Sequence, residues 1–437
     1  MHKQKISIFW FRRDLRLEDN VGLTAALTAG VPVLAIFIFD KKILSKLPKD
    51  DARVTFIYET LQRLRERLKN EFSRSLAIYY GSPTTILTEL STTYDVQEVH
   101  TNRDYEPYAR KRDSQIKNLL SKRGIRFTTY KDQVLFEENE IVKQDKTPYV
   151  VYTPFKNKWK SLFKATEMLQ KHDSLNHLNA LIVTTNLPDV SLSQMGFAAS
   201  HIKVQEYITT PQLIDGYEDT RNFPAIENGT SHLGPHLRFG TVSIREITQK
   251  AIAHKNEVFW SELIWREFFM QILWHFPHTK DKAFRPKYDR IEWRNNEQEF
   301  EKWKKGETGY ALVDAGIREL NTTGYMHNRV RMLVASFLCK HLLIDWRWGE
   351  IYFAEKLLDY DMSANVGNWQ WAAGSGVDAA PYFRIFNPIT QVQKFDKQLA
   401  YIKKWVPDLQ EFSYPPMMVD HKKARERCLQ TYKEALA

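Results

Sequence analysis

Short apolar runs alternate with amphipathic stretches over the first 130 or so residues of this chain and then stop, and that change of pattern limits the fold more than any other feature. Ile6–Phe11 and Val31–Phe39 are continuous apolar runs bounded by polar turns, as strands buried on both faces are. Leu76–Tyr80, Val96–Thr101 and Ile125–Tyr130 repeat the signal, with helical stretches near Thr84–Tyr94 and Tyr108–Lys122 between them. After the second run, Val54, Ile57, Tyr58, Leu61, Leu64 and Leu68 share one helical face. Strands alternating with helices predict an α/β, doubly wound parallel sheet with right-handed crossovers, a Rossmann-like arrangement. No G-x-G-x-x-G and no G-x-x-x-x-G-K-S/T follows the first strand, so that sheet shows no dinucleotide or P-loop fingerprint.

Residues 131–200 lose the alternation; they are polar and interrupted by Pro148, Pro154 and Pro188, the pattern of a long connector. From 201 to 437 the strand signal nearly vanishes, and Trp260–Phe276, Ala311–Leu320, His327–Leu343 and Glu350–Leu358 predict an all-α domain. Three regions, 1–130, 131–200 and 201–437, suit a chain of 437 residues, which is too long for one core. A formal net charge of +10 favours an anionic partner. Two cysteines make no disulfide framework and the chain opens on a β-like run, so a reducing, cytoplasmic setting is expected. Apolar runs fall short of the ~18 residues a bilayer crossing takes, so no membrane span is expected. The thirteen histidines show no H-E-x-x-H or Cys/His spacing for a metal, and no G-x-S-x-G marks a hydrolase serine. Ten of the twelve tryptophans lie beyond residue 250, which places whatever they do in the helical region.

That region holds the segments with chemical character. On a helix, Glu262, Trp265, Arg266 and Phe269 share one side, a set suited to stacking on and hydrogen-bonding a nucleobase; a core helix with a Glu262–Arg266 surface pair explains the same pattern. Gly229–Gly240 sets Thr230 and Ser231 before a short helix, either a phosphate cradle or a plain N-cap, and Ser243 and Glu246 have capping-box spacing. Asp359–Trp371 packs two Asp, two Asn and two Trp into thirteen residues, a poor recipe for a plain amphipathic helix; the apolar company points to burial around a ligand. His327, Asn328, Arg329 and Arg331, with Arg384 and Lys394, form a basic set suited to phosphates or to a solvated helix face.

Taken together these segments resemble the photolyase/cryptochrome family over nearly the whole chain, and most of all its bacterial class I cyclobutane pyrimidine dimer DNA photolyases. Trp10–Asn20 (WFRRDLRLEDN), Tyr105–Arg110 (YEPYAR), Tyr152–Phe155 (YTPF) and Asn368–Pro388 (NWQWAAGSGVDAAPYFRIFNP) carry the resemblance. It implies an α/β antenna domain, a connector and an all-α domain holding FAD. A second, antenna chromophore (5,10-methenyltetrahydrofolate, deazaflavin or none) is left open by the motifs. Position by position, the resemblance implies flavin contacts at Tyr217, Thr230, Ser231, His232, Leu233, Gly234, Arg331, Asp359, Tyr360 and Asp361, with Arg331 paired to Asp359 and Asn365 facing the flavin N5. His232 and Gly234 depart from the usual Arg and Ser, which shifts binding there towards backbone N–H groups. A dimer pocket is implied at Glu262, Trp265, Arg266, Asn328, Met332 and Trp371, and DNA-backbone contacts at Arg221, Arg329, Arg384 and Lys394. Trp303, Trp346 and Trp369 match the path along which electrons hop from the surface to the flavin.

The implied activity is light-driven repair by a carbon–carbon lyase. Single- or double-stranded DNA containing a pyrimidine dimer is bound, the dimer is flipped out, as photolyases do, and excited reduced FAD donates the electron that splits it. Glu262 is expected to hydrogen-bond a thymine carbonyl, and Trp265 and Trp371 to wall the pocket. Asn328 stands where enzymes for the (6-4) photoproduct carry a catalytic histidine. The alternative is a cryptochrome-type blue-light photoreceptor; Asn365, Glu262 and the lack of a C-terminal extension after the Lys404-Trp405 region favour repair. A monomer is expected.

Overall fold

Five parallel strands, β1 (Lys5–Phe11), β2 (Val33–Asp40), β3 (Ala77–Gly81), β4 (Asp95–Asn102) and β5 (Arg126–Tyr130), lie in the order β3-β2-β1-β4-β5. They fall on the five apolar runs of the sequence. The computed structural model describes residues 3–184 and 186–437 and divides into two units, one comprising the chain up to Glu137 with Phe163–Gln205 and Leu233–Lys250, the other Glu138–Leu162, Glu206–His232 and Ala251–Ala437. Within the first unit Phe9 and Phe11 of β1 enter the core on one face of the sheet, and Ile6, Ile8 and Trp10 the core on the other, which is why these runs are apolar throughout.

The expected connector is not a separate region. Leu178, Leu181, Met195 and Phe197 belong to the same core cluster as Phe9 and Phe37, and Val33–Leu181 and Ile78–Asp189 form isolated bridges beside the sheet. The segment 233–250, expected with the helices, also packs in this unit, with Phe239 in its core. A polar composition hid a few well-spaced apolar residues that are enough to fix these segments on the sheet.

The opening WFRRDLRLEDN motif proves to be structural. Buried Asp132 accepts from Arg16 Nη2 at 2.8 and 2.7 Å and from Arg245 Nη2 at 2.8 Å, and Arg245 Nε reaches both Asp19 oxygens at 3.0 Å. Ser243 caps the Arg245 N–H at 3.2 Å, but Glu246 pairs with Lys250 at 2.9 Å rather than closing a capping box. In YEPYAR, Pro107 opens the helix Pro107–Ser121, and Glu106 receives Arg13 at 3.4 Å and Arg238 at 2.8 Å.

The second unit is helical. Its longest helix is Glu257–His275, and Asn328–Ser336 runs on into a π-helical turn, Phe337–His341. Most of Asp359–Trp371 folds as a helix after all: Asp361 caps Met362–Ala373 by accepting the N–H groups of Ser363 (3.1 Å) and Ala364 (3.4 Å). Trp346–Lys356 packs closely on it at Gly349, where an added Cβ would sit 2.1 Å from Trp369 Cη2. Gly349→Ala should therefore cost about 1–3 kcal/mol and displace the Trp369 indole; an unchanged melting temperature and near-UV dichroism would disprove this packing. Both cysteines are free and buried, and among the described residues no helix is long and apolar enough to cross a membrane.

Candidate functional site

The helix Glu257–His275 carries Glu262, Trp265 and Arg266. Glu262 does not pair with Arg266 as a surface turn would have it; its carboxylate takes Arg221 Nη1 at 2.6 Å. Arg221 ends the helix Pro211–Thr220 and lies 5.5 Å over the Tyr217 ring, which meets Phe259 edge-on at 5.1 Å. Burial, followed by the Glu262 charge, pushes the Tyr217 phenol up, so it acts as a neutral donor. Trp265 stacks on Tyr152 (centroids 3.5 Å, 7°) and on Phe269 (5.5 Å, 25°). Its ring is thus already stacked on two aromatic neighbours.

A basic cluster adjoins this pair. Arg329 Nη2 donates to Asn222 Oδ1 at 2.5 Å, its guanidinium lies 4.5 Å over Phe395, and Nη1 approaches Met332 Sδ at 3.7 Å. Burial, then the charges of Arg221 and Arg384, push Arg329 below its ordinary pKa, so these three cations repel one another. Lys394 sits on the same Phe395 ring at 5.3 Å. Four cations sharing one neighbourhood make a positive field that attracts an anion. Asn328 opens the same helix as Arg329, and Trp371 packs, half-buried, against the core that contains Trp369.

All the proposed flavin residues but Leu233 and Gly234 lie in the helical unit. Arg331 pairs with Asp359 through both nitrogens, Nη1–Oδ1 3.1 Å and Nη2–Oδ2 2.9 Å, and donates Nε–H to the Met326 carbonyl at 2.7 Å. Thr230 shares a 3.3 Å hydrogen bond with Tyr325, whose ring packs on His232 at 5.1 Å; the Ser231 carbonyl accepts Ile208 N–H at 2.9 Å. His232 has φ of 53°, a left-handed conformation that turns the loop. Leu233 and Gly234 follow in the segment that packs with the α/β unit, where Gly234 begins the six-residue helix Gly234–Phe239. Asn365 donates Nδ2–H to the Glu350 carbonyl at 3.0 Å and to Glu350 Oε1 at 2.9 Å, leaving its amide oxygen as the group it can present elsewhere. Burial raises the Glu350 carboxyl against the hydrogen bonds from Asn365 and Tyr360.

The tryptophan path needs correction at its outer end. Trp303, Trp346 and Trp369 are 0%, 1% and 2% exposed, so none meets solvent. Trp303 lies 6.3 Å from Trp369, with Phe353 against both rings (6.3 and 5.0 Å). Trp293, Trp348, Trp371 and Trp405 are half-buried and pack against this core, and Phe300 links Trp348 to Trp303 at 5.2 and 5.6 Å. Apolar periodicity marks an indole as interior but does not say how deep it lies.

Glu350 and Tyr325 were not foreseen. Glu350 lies fifteen positions before Asn365 on another helix and looks in sequence like any surface glutamate; Tyr325 precedes the MHNR motif without a pattern of its own. The residue set suits a flavin nucleotide: paired Arg331 and Asp359, a hydroxyl-bearing loop, an oriented amide, and the buried His327 Nε2 that finds no acceptor among the described residues. No three His, Cys, Asp or Glu converge as a metal site among the described residues.

Residues 259–413 match the family profile described as the FAD binding domain of DNA photolyase, and residues 7–173 that of DNA photolyase. The deoxyribodipyrimidine photo-lyase of Synechococcus sp. is 38% identical over 431 residues, covering 92% of this chain and 88% of that protein. Among solved structures, a bacterial class III photolyase from Agrobacterium tumefaciens superposes with a TM-score of 0.87 at 34% identity, covering 100% of this chain and 98% of its own. A Synechocystis cryptochrome, 24% identical over 99% of this chain and 100% of its own, shares the fold with a TM-score of 0.86.

Proposed function

This chain belongs to the DNA photolyase family, and we propose that it repairs DNA by splitting cyclobutane pyrimidine dimers in light, with FAD as cofactor. The observation that carries the reading is one neighbourhood in which Arg221, Arg329 and Arg384 crowd together beside Glu262 and Trp265. When bound, reduced FAD supplies the photoexcited electron that the dimer accepts and returns. The chain's own residues bind, orient and exclude water. Arg221, Arg329, Arg384 and Lys394 hold the backbone on either side of the lesion. Trp265 and Trp371 offer an apolar surface to the extruded dimer. Glu262, paired with Arg221, is a carboxylate and can only accept; it takes an imide N–H of a thymine, while the Asn328 amide donates to a carbonyl oxygen where negative charge develops. That reverses the donor role read for Glu262 from the sequence. Asn365, its Nδ2 committed to Glu350, presents an amide oxygen to the flavin ring. The two free, buried cysteines suit a reducing cytoplasm, and a monomer is our proposed state.

The test is direct: purified protein with reduced flavin under blue light should restore the 260 nm absorbance of an oligothymidine dimer. An intact dimer, with a light-dependent change elsewhere, would move the assignment to a photoreceptor. Affinity for dimer DNA should fall with salt at a logarithmic slope of about −3 to −4, from three to four phosphate contacts. Arg329→Ala should weaken binding to every sequence and reduce that slope by about one; an unchanged slope would remove Arg329 from the backbone contacts.

A further inference from the structure

His327 is used by nothing proposed so far. It is 6% exposed and precedes the helix Asn328–Ser336, where its Nδ1 accepts the Arg329 N–H at 3.2 Å. An imidazole whose Nδ1 is an acceptor carries its proton on Nε2. That Nε2 is buried and has no acceptor among the described residues. A buried donor without a partner is costly, and such groups are otherwise rare. The ring is neutral at physiological pH, its pKa pushed down to about 4 by burial and then by Arg331, Arg329, His232 and Arg221. Glu319 meets His327 through the backbone instead, its Oε2 accepting the His327 N–H at 3.2 Å and the Tyr401 hydroxyl at 2.6 Å. The helix cap thus fixes one tautomer, and no described residue accepts from its Nε2–H.

Two of its neighbours point to the nucleotide rather than to the lesion. Arg331 is the partner of Asp359, and His232 lies on Tyr325, which is bonded to Thr230. We propose that His327 Nε2–H donates a hydrogen bond to an oxygen of the phosphate–ribose part of FAD, with the helix cap holding the imidazole in the donating tautomer. This rests on the flavoenzyme reading above.

His327→Asn separates the two roles, because asparagine caps a helix as well as any residue but has nothing at the position of Nε2. The full-length holoenzyme should melt within a few degrees of wild type after FAD saturation, yet release FAD on dilution with a Kd about 10- to 100-fold higher, read by flavin fluorescence. His327→Gln, whose longer amide reaches towards Nε2, should recover part of the loss. Wild-type FAD affinity in His327→Asn overturns the proposal, and so does unchanged FAD affinity with weakened binding to dimer DNA, which would assign the donor to the lesion. If the variant misfolds, long-range proton–nitrogen spectra of wild type decide: an Nε2–H tautomer whose proton moves on FAD binding supports the proposal, and an unmoved resonance overturns it. Wild-type protein that binds no FAD would instead sink the flavoenzyme reading.

Discussion

Asp132→Ala should lower the unfolding free energy by about 3–5 kcal/mol, the cost of stripping one partner from a buried ionic network. The carboxylate is fully buried, and the Arg16 and Arg245 side chains are almost so. It also accepts Val21 N–H at 3.3 Å. Removing it leaves two desolvated guanidiniums sharing only Asp19 and backbone carbonyls. Burial by itself raises a carboxyl, but Arg16 and Arg245 outweigh it and hold Asp132 below the ordinary range. A depressed carboxylate stabilises the fold fully above its unfolded pKa and ceases to do so as pH falls through the folded one. The variant should therefore lose stability at neutral pH and show a flatter acid limb. Urea midpoints across pH 3–7 measure both, and a neutral-pH loss under about 1 kcal/mol would show that the network contributes little.

Arg331→Leu is the second large effect, and it falls on cofactor retention. The Arg331–Asp359 pair is partly open, with side chains 23% and 16% exposed, and removing the charged hydrogen bonding that this pair would give the nucleotide costs binding about 2–3 kcal/mol. That corresponds to roughly a 30- to 150-fold rise in the FAD Kd. Lysine at the same position should recover only part of it, because a point charge cannot make the two-pronged contact. The assay is the flavin-to-protein absorbance ratio after gel filtration; a stoichiometric flavin content in the leucine variant would remove this pair from the cofactor site.

Much of the site was legible because motif and cap coincide. Asp361 is both in the unusual acidic stretch and the N-cap of Met362–Ala373, and Asn365 follows one turn later, so one local signal located both. Arg331 and Asp359 were paired through resemblance, and their two-pronged contact is present. Glu350 could not be found this way. Its importance is a hydrogen bond to Asn365 between helices that approach because Gly349 lacks a side chain, and no periodicity encodes which residue a neighbour will face. The tryptophan path failed at its end for a related reason: an indole inside a helical stripe is known to be interior, but whether it is one shell or two from water depends on what packs outside it.

Local pattern in this chain was sufficient for the five strands and the helical character of the second half, since burial on both faces of a strand or one face of a helix writes itself directly into residue spacing. Tertiary structure decided the rest. It drew 163–205 and 233–250 onto the sheet, joined Arg16, Asp132 and Arg245 across separations of 116 and 113 residues, and turned Glu262 towards Arg221. Spacing records that a side chain is buried or charged; only the folded packing supplies the partner.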